Sequence, residues 1–402
     1  MWEPVIRQHV ILWRRIDTML IQNTIIDLVS ELIKIDSSNS WLIPGSPGEK
    51  NVQLSIQEYF RKLGIETYFE EIDERHSNLV GCIKGGGGGK SLTLYAHCDT
   101  VGYALWKERA LVPCIKGDHL IGLGAADDKG HAAAIMLSLT EIIESEIKLR
   151  GDINICLVSD EEGTSCGAME YVKKHTPGAA LVLEAAPINR INISHQGFGW
   201  LDIKVKGNAA HGSASEAGID AIIHMAEVIV RLQRNKRELF EKNPHPLNGE
   251  TVFHTGTIAG GTDYATYPDY CQLGIEIGIQ PGETIENRIC EIEKIFKEVK
   301  QIYPGFEGSV DIRIARNPFE AKGHDVLYEI LSVEIEKITH KKAVAVGENS
   351  WGDAQLFQDA GFPTLGVGAN GGNLHAPDEW ISISELEQLI QILISVIVKF
   401  CA

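Results

Sequence analysis

Apolar residues recur at two spacings along this chain, and each spacing predicts a different kind of element. Steps of three and four predict helices, whereas short continuous or alternating apolar runs predict strands. In the first half of the chain the two kinds alternate, which is typical of a mostly parallel sheet covered by helices. The predicted helices cover residues 21–35, 52–63, 128–147 and 167–175, and the predicted strands cover 66–69, 78–83, 91–96, 153–158 and 181–183.

The order of elements changes after residue 193. A strand, a helix, two strands, a helix and a strand are predicted at 199–206, 220–239, 251–258, 270–279, 285–302 and 309–315. This βαββαβ order predicts a ferredoxin-like α+β domain that is inserted into the first one. Helices at 325–337, at 353–360 and after Ser384, and strands at 343–346 and 364–367, then resume the first pattern. We therefore predict an α/β chain with a discontinuous domain, 1–193 and 317–402, and an insertion, 194–316.

A run of five glycines, residues 85–89, separates the second and third predicted strands. Such a run suggests a phosphate-binding loop, but a phosphate-binding loop leads into a helix. This run leads into a strand, so we interpret it as a flexible hairpin turn.

Size and charge narrow the classes of protein. A chain of 402 residues exceeds one ordinary core, which favours two domains. The net charge of -18 argues against a nucleic-acid partner, because phosphate binding needs a basic surface. The eight cysteines form no CxxC pair and indicate reduced thiols in a cytosolic protein.

The beginning of the chain leaves an alternative open. Its apolar stretch at residues 10–13 is too short for a secretion signal, and no window reaches the length of a membrane span. We therefore expect a cytoplasmic protein without a membrane partner. Met1 and Met19 are both candidate starts, and residues 1–18 are a candidate N-terminal extension.

Candidate metal ligands stand in five short segments. These segments contain His97 with Asp99, Asp127, the run Asp160-Glu161-Glu162, Glu184, and His375. Because the carboxyl ends of parallel strands meet at one edge of a sheet, we expect His97, Asp160 and Glu184 to lie together. A pair of divalent ions needs two imidazoles and several carboxylates, one of them bridging, with a base beside the attacking water. Each segment alone suits an ordinary surface, but all five together predict a two-metal hydrolase.

The motifs around these residues resemble one known family. They read His97-x-Asp99-Thr100-Val101, Gly122-x-Gly124-x-x-Asp127-x-Lys129-Gly130, Asp160-Glu161-Glu162-x-x-x-x-Gly167 and His375-x-Pro377-x-Glu379. As a set they resemble the M20-type metallopeptidases and amidohydrolases, which include acetylornithine deacetylase, succinyl-diaminopimelate desuccinylase, aminoacylase-1 and glutamate carboxypeptidases. The resemblance extends from about residue 21 to Trp380. It implies a zinc-peptidase-like catalytic domain and an inserted lid or dimerisation domain.

The resemblance also implies roles for single residues. The implied ligands are His97 and Glu184 on one ion, Glu162 and His375 on the other, and Asp127 between the two. Asp99 would fix the ring of His97, and Glu161 would act as general base and then as acid. Neighbouring side chains point apart, which fits one ligand and one base at Glu161 and Glu162. A cis peptide is implied between Asp127 and Asp128.

The implied reaction is hydrolysis of an amide. Two divalent ions are expected, with zinc as the first choice and cobalt or manganese as alternatives. A hydroxide between the ions would attack the carbonyl, and Glu161 would pass the proton to the leaving nitrogen. His211 resembles a histidine of the small domain that polarises the carbonyl, often from a partner subunit. The other interpretation of His211 is a surface histidine at a helix start.

The chain departs from the family at two positions. Members commonly carry an Asn and an Arg in the small domain, which hold the oxyanion and the carboxylate of the substrate. Ala265 and Gly278 stand at the matching positions here. Either a basic residue such as Arg313, Arg316 or Lys322 has taken over this role, or the substrate lacks the carboxylate. We predict substrate contacts at Arg316, Gly368 and Asn370.

Three functions compete. We predict a deacylase of a small N-acyl amino acid or a related N-acyl compound. The alternatives are a metallo-di- or tripeptidase or carboxypeptidase, and a deformylase or deacylase of an N-acyl amine without an α-carboxylate. A binding protein on the same fold is disfavoured, because every predicted ligand and Glu161 are present. The expected partners are a small-molecule substrate and a second copy of the chain, paired through the inserted domain.

Overall fold

The computed structural model describes residues 18–240 and 244–402, and its chain divides into two compact units. The first unit runs to Ile193 and also includes Ala321–Ala345 and Leu356–Ala402, and the second comprises Ser194–Glu320 and Val346–Gln355. The last of these segments joins the second unit through Trp351, whose ring lies 5.5 Å from that of Phe198. The predicted domain limits at 193/194 and 316/317, and the N-terminal extension, stay predictions. The apolar stretch at 10–13 lies outside the described residues.

The described chain contains the following elements. The helices are α1 Thr18–Ile33, α2 Lys50–Lys62, α3 Lys129–Glu144, α4 Cys166–Lys174, α5 Ala221–Leu239, α6 Ile285–Ile302, α7 Asp325–Thr339, α8 Ala354–Asp359 and α9 Ile383–Phe400. The strands are β1 Thr67–Glu71, β2 Ser77–Ile83, β3 Leu92–His97, β4 Cys114–Lys116, β5 His119–Ile121, β6 Ile153–Val158, β7 Ala179–Leu183, β8 Arg190–His195, β9 Gly197–Lys206, β10 Phe253–Gly260, β11 Tyr270–Ile279, β12 Glu307–Arg316, β13 Phe319–Glu320, β14 Val344–Glu348, β15 Thr364–Val367, β16 Gly371–Gly372 and β17 Trp380–Ser382.

A parallel group of strands forms the centre of the first unit. The sheet runs in the order β1-β2-β6-β3-β7-β15-β8, and the four strands from β6 to β15 are parallel. Every residue of β3, β7 and β15 is buried, as expected for parallel strands between other layers. Helix α9 packs against α1, α3 and α7, and α3 packs on β3. The α/β class with a mostly parallel central sheet is thereby confirmed.

The second unit is built around an antiparallel sheet of order β10-β11-β9-β12. This is the strand order of the predicted βαββαβ arrangement. Helices α5 and α6 pack on it and enclose a core that includes Leu201, Met225 and Ile292. Each helix begins at a side-chain cap: Asp220 accepts hydrogen bonds from the first turn of α5, and Thr284 forms a capping box with Asn287. A role for this unit as lid or dimerisation domain stays a prediction.

The interpretation of the glycine run as a hairpin turn is wrong. Strand β6 lies between β2 and β3, so the run connects strands that are not neighbours. It packs against the chain at 149–151, where Gly87 N–H donates to Arg150 O at 2.8 Å. A Cβ at Gly85 would meet the Gly151 carbonyl oxygen at 2.4 Å. Glycine is therefore required by close backbone approach rather than by flexibility.

A small antiparallel sheet escaped the sequence analysis. It runs in the order β16-β17-β5-β4, and its strands have only two or three residues each. Such strands are too short to show a period of two.

In the described part of the chain, no helix has the length and the apolar character needed to cross a membrane. The cysteines at all eight positions form no disulfide.

Candidate metal centre

The strand ends of the first unit bring three of the candidate segments together. His97 is the last residue of β3, Asp160-Glu161-Glu162 follow β6, and Glu184 follows β7. These three strands are parallel neighbours, so their carboxyl ends share one edge. Asp127 stands just before α3, at the end of a loop that reaches the same edge. The Asp127–Asp128 peptide is cis, as the resemblance implied.

Asp127 faces one histidine with each carboxylate oxygen. Its Oδ1 lies 2.8 Å from His97 Nε2, and its Oδ2 lies 3.2 Å from His375 Nε2. This is the arrangement expected of a carboxylate between two ions. Burial would raise the pKa of Asp127, but hydrogen bonds from the two imidazoles outweigh this effect and lower it.

The first set of candidate ligands combines two buried side chains, His97 and Asp128, with Glu184, whose side chain is 36% exposed. Glu184 Oε1 lies 3.9 Å from His97 Nε2, and ligand atoms of His97, Asp128 and Glu184 lie within 4.8 Å of one another. His97 is fully buried. Burial would lower the pKa of His97, but hydrogen bonds to Asp127 and Asp99 raise it well above its usual value.

The second set lies on a loop. His375 Nε2 is 3.1 Å from Glu162 Oε2, and ligand atoms of Asp127, Glu162 and His375 lie within 4.8 Å of one another. The side chain of His375 is 55% exposed, whereas that of Glu162 is 6% exposed. Hydrogen bonds to Asp127 and Glu162 raise the pKa of His375 to about 11. Burial, and then the charge of Asp127, raise the pKa of Glu162 to about 7.

Asp99 connects the ring of His97 to the Glu161-Glu162 loop. His97 Nδ1 lies 3.1 Å from the backbone oxygen of Asp99 and 3.4 Å from its Oδ1. The Asp99 carboxylate also accepts hydrogen bonds from the backbone N–H groups of Glu161 and Glu162, both at 3.1 Å. Asp99 therefore fixes the position of the candidate ligand His97 relative to the candidate base Glu161. A residue that hydrogen-bonds to a metal ligand is expected to orient it in this way.

Asn39 was missed by the sequence analysis. Its Nδ2 donates to Asp99 Oδ2 at 2.7 Å and to Asp160 Oδ1 at 2.8 Å, and its side chain is fully buried. Without this amide, two buried carboxylates would face each other, which is costly. In the sequence Asn39 lies in a polar run after a helix, residues 36–40, so no local signal distinguishes it from a turn residue.

Glu379 and Asp128 were missed as well. The Glu379 carboxylate accepts backbone hydrogen bonds from Gly124, Ala126 and Asp127 at 2.9–3.1 Å, which fixes the loop that presents Asp127. Asp128 Oδ2 accepts from His97 N–H at 3.1 Å, and its Oδ1 lies 2.5 Å from His131 Nδ1. The sequence did contain a signal for Glu379, because this residue is part of the His375-x-Pro377-x-Glu379 motif. Asp128 gave no such signal, because an Asp at this position is typical of the start of a helix.

The donor set fits divalent cations. Hydrogen bonds to the carboxylates raise the pKa values of His97 and His375, and the buried oxygen Glu162 Oε1 has no hydrogen-bond partner. Divalent ions compete with protons for these nitrogen and oxygen atoms. Imidazole and carboxylate donors suit zinc, and also cobalt and manganese. The role of each ligand stays a prediction.

The side chain of Glu162 is 6% exposed beside His375, and its neighbour Glu161 is half-buried. A general base must reach a water molecule and the leaving group, which a half-buried carboxyl group can do. The division of roles between Glu161 and Glu162 stays a prediction.

The second unit holds the other predicted residues. His211 is exposed, and its Nδ1 lies 2.8 Å from Ser213 Oγ. Gly212 N–H donates to Ala265 O at 2.7 Å, so the residue that replaces the family asparagine lies beside His211. A Cβ at Gly278 would meet Gln196 Oε1 at 2.2 Å, so Gln196 fills the space above Gly278. Neither position offers a guanidinium group.

The other residues predicted to contact substrate are packed against, or bonded to, groups of the protein itself. In the first unit, a Cβ at Gly368 would meet the Glu184 carbonyl oxygen at 1.7 Å, so glycine is required there for close packing. Asn370 N–H donates to Glu385 Oε2 at 3.0 Å. In the second unit, the Arg316 guanidinium lies 5.9 Å from the Trp351 ring, and Arg313 Nε donates to Asp202 Oδ2 at 2.7 Å. Substrate binding by Arg316, Gly368 and Asn370 stays a prediction.

A family model covers the part of the chain that contains the candidate ligands. The model described as peptidase family M20/M25/M40 matches residues 93–399, which include every candidate ligand. The chain belongs to this family. M20 enzymes are metal-dependent hydrolases, so the chain is a metal-dependent hydrolase of the M20 type.

Two curated M20 relatives and one solved M20 structure span nearly the whole chain. The N-formyl-4-amino-5-aminomethyl-2-methylpyrimidine deformylase of Bacillus subtilis is 26% identical over 398 residues, 90% of this chain and 92% of the relative. An acetylornithine deacetylase of Photorhabdus laumondii is 28% identical over 385 residues, 94% of this chain and 97% of the relative. A Bacillus subtilis structure described as a dinuclear metal binding peptidase is 15% identical, with a TM-score of 0.72 over 94% of this chain and 98% of its own. This structural likeness shows the fold.

Proposed function

We propose that this M20 protein is a deacylase that hydrolyses the amide bond of a small N-acyl compound with two bound divalent ions. The observation that carries the proposal is Asp127, which faces His97 with one oxygen and His375 with the other. The names of the two curated relatives, a deformylase and a deacetylase, favour removal of an acyl group over cleavage of a peptide.

The residues divide the work. Bound ions would supply a Lewis acid for the amide carbonyl and a lower pKa for water. Glu161 takes a proton from the attacking water, a C–O bond forms, the C–N bond breaks, and Glu161 gives the proton to the leaving nitrogen. Asp99 holds His97 and the backbone of Glu161 in place throughout. His211 is proposed to polarise the carbonyl.

A second candidate is a deacylase of an N-acyl or N-formyl amine without an α-carboxylate. The observation that favours it is Gln196, which occupies the space above Gly278 where the family carries its arginine. Arg313 is already bonded to Asp202. Binding of an α-carboxylate of the substrate would then depend on Arg316 or Lys322. The name of the deformylase relative, whose substrate is a pyrimidine, supports the same candidate.

We also propose a cytoplasmic homodimer without a nucleic-acid partner. Strand β10 is an edge strand, and its residues after Phe253 are exposed. Ile258, Ile222 and Ile223 of the same unit are 57%, 41% and 51% exposed, which is unusual for isoleucine on a free surface. The net charge of -18 supports the absence of a nucleic-acid partner. Sedimentation at two protein concentrations tests the dimer, and a monomer at both would contradict it.

The experiment that tests the function combines metal content with turnover. Protein loaded with zinc, cobalt or manganese is assayed on N-acetyl amino acids, their decarboxylated analogues and dipeptides. We expect hydrolysis of N-acyl compounds, two ions for each chain, and a loss of about 10²–10⁴-fold in kcat for Glu161→Gln with metal content unchanged. Full activity after exhaustive chelation would contradict the proposal. Turnover of dipeptides alone would favour a peptidase.

A further inference from the structure

A cavity of about 330 Å³ opens in the first unit beside the candidate metal ligand His375. Apart from His375, its walls carry no ionisable side chain. They are formed by Leu42, Ile43, Gly102, Ala104, Leu105, Trp106, His375 and Pro377. Leu105 is 80% exposed and Ile43 is 42% exposed, so leucine and isoleucine side chains face solvent next to a polar centre. A cluster of this kind indicates a surface that is covered when a ligand binds.

The walls are anchored to the metal centre. Asn39, whose amide donates to Asp99 and Asp160, accepts hydrogen bonds with its Oδ1 from the backbone N–H groups of Trp41 and Leu42 at 2.8 and 3.0 Å. The same side chain therefore positions the carboxylate behind His97 and one wall of the cavity. Because the Asn39 side chain is buried and makes all four hydrogen bonds, it fixes the place of the wall relative to the candidate ligands.

The opposite wall is equally constrained. Tyr103 Oη donates to Asp36 Oδ2 at 2.9 Å, and Trp106, 5% exposed, packs with Leu123 and Ala110 in a small core. A Cβ at Gly102 would meet Ile43 Cδ1 at 2.5 Å, so the missing side chain makes room for the isoleucine. The cavity is thus formed by folded walls before any ligand arrives.

We propose that this cavity is the subsite for an uncharged apolar substituent of the substrate, an aliphatic chain or an aromatic ring attached to one side of the scissile amide. The proposal rests on the proposed amide hydrolysis and specifies its substrate class. A cavity of ~150 Å³ already holds a benzene molecule, so a formyl or acetyl group leaves most of 330 Å³ unfilled. Apart from His375, which already faces Asp127 and Glu162, the lining offers no partner for a charged group, and desolvation would disfavour one.

Two series of amides show which side of the amide enters the cavity. The first lengthens the acyl group from formyl to hexanoyl on one amine, and the second keeps acetyl and varies the amino acid from glycine to norleucine. Along one series, kcat/KM is expected to rise about fourfold for each methylene until the cavity is full. The other series stays nearly flat. A flat or falling response in both series overturns the proposal.

Variants test the walls. Leu105→Ser and Ile43→Ser are expected to reduce the rise for each methylene to twofold or less, and both side chains are exposed enough for the fold to tolerate the change. Val112→Ser is the matched control, because Val112 is 63% exposed and lies outside the cavity lining. An unchanged rise in both wall variants, or the same reduction in the control, overturns the proposal.

Binding of simple amides separates this proposal from the proposed function. Calorimetric titration with acetamide and hexanamide needs no turnover. Hexanamide is expected to bind at least tenfold more tightly to the wild type, and Leu105→Ser is expected to lose most of that difference. Absence of hydrolysis together with this preference would reject the deacylase and keep the apolar subsite. Hydrolysis without tighter binding of hexanamide would reject the apolar subsite and keep the deacylase.

Discussion

His97 and His375 approach the same carboxylate from two different surroundings. His97 ends a fully buried strand, and its side chain has no solvent exposure. His375 stands on a loop with a left-handed backbone, φ 58°, and its side chain is 55% exposed. The histidine of the strand half has its position fixed by the sheet, whereas the histidine of the loop half is open to solvent and to ligands. Pre-organisation and access are thus provided by different parts of one site.

The largest effect is expected from removal of the enclosed histidine. His97→Ala removes a buried partner of both Asp99 and Asp127, which should destabilise the metal-free protein by ~3–5 kcal/mol and weaken metal binding more than ~100-fold. His375→Ala should cost less than ~1 kcal/mol in stability, because its ring is exposed. Urea unfolding in chelator and zinc titration measure both quantities. Equal losses of stability in the two variants would remove the distinction between the halves.

The next largest effect is expected on the pH dependence of folding stability, through the buried carboxyl group of Glu49. Burial, and then the charge of Asp99, raise the pKa of Glu49 to about 8. The folded protein keeps this proton between pH 4.5 and 8 while the unfolded chain releases it. Stability should therefore fall as pH rises through this window, by at most ~1.4 kcal/mol for each pH unit. Glu49→Gln should flatten the dependence in urea unfolding at pH 5, 6.5 and 8. Glu66→Gln, at an exposed position, serves as the control and should keep the wild-type slope.

Asp99→Asn tests how the fixed geometry is maintained. Asp99 orients His97 and accepts hydrogen bonds from the backbone of Glu161 and Glu162. An amide can replace only part of these contacts, so metal affinity or kcat should fall ~10–100-fold. Asp73→Asn, which changes a half-exposed carboxylate next to His76, is the control. If the two variants were equal in zinc affinity and kcat, Asp99 would have no role in the centre.

The smallest effect is expected on the loop half. Arg109 Nη1 lies 3.7 Å from Asp378 Oδ1, and the two side chains are 69% and 49% exposed. Such a pair contributes little in water, so Arg109→Gln should change zinc affinity less than about twofold and stability by less than ~1 kcal/mol. A tenfold loss of zinc affinity would show that the loop is held more firmly than its exposure indicates.

The strand half was predictable because its signals are local. A buried strand shows as a continuous or alternating apolar run, and Ile153–Val158, Tyr270–Ile279 and Thr364–Val367 were predicted with their observed ends. The residue after such a run lies at the carboxyl edge, which is why His97 and Glu184 could be brought together from the sequence. Helix Ile285–Ile302 was predicted with its ends for a similar reason, since its apolar stripe and its capping box are both local.

The contacts that hold the centre depend on pairs of distant residues. Asn39 bonds to Asp99 and Asp160, and Glu379 bonds to the backbone that presents Asp127. Nothing near Asn39 in the sequence indicates which carboxylates it meets. The small sheet of β4, β5, β16 and β17 was missed for the same reason, because its stability comes from pairing rather than from a pattern within each strand.

The position of Glu379 also has a consequence for biosynthesis. The loop that carries Asp127 is held by a carboxylate that is translated long after it, and His375 is made only shortly before Glu379. A nascent chain that has emerged only as far as Glu184 already contains His97 and Asp127, but it lacks both the second histidine and the clamp on the loop. Such a chain should hold metal ions weakly until synthesis has passed Glu379. Loading with metal should therefore be delayed until His375 and Glu379 are both present, and partial chains should be poor competitors for scarce ions.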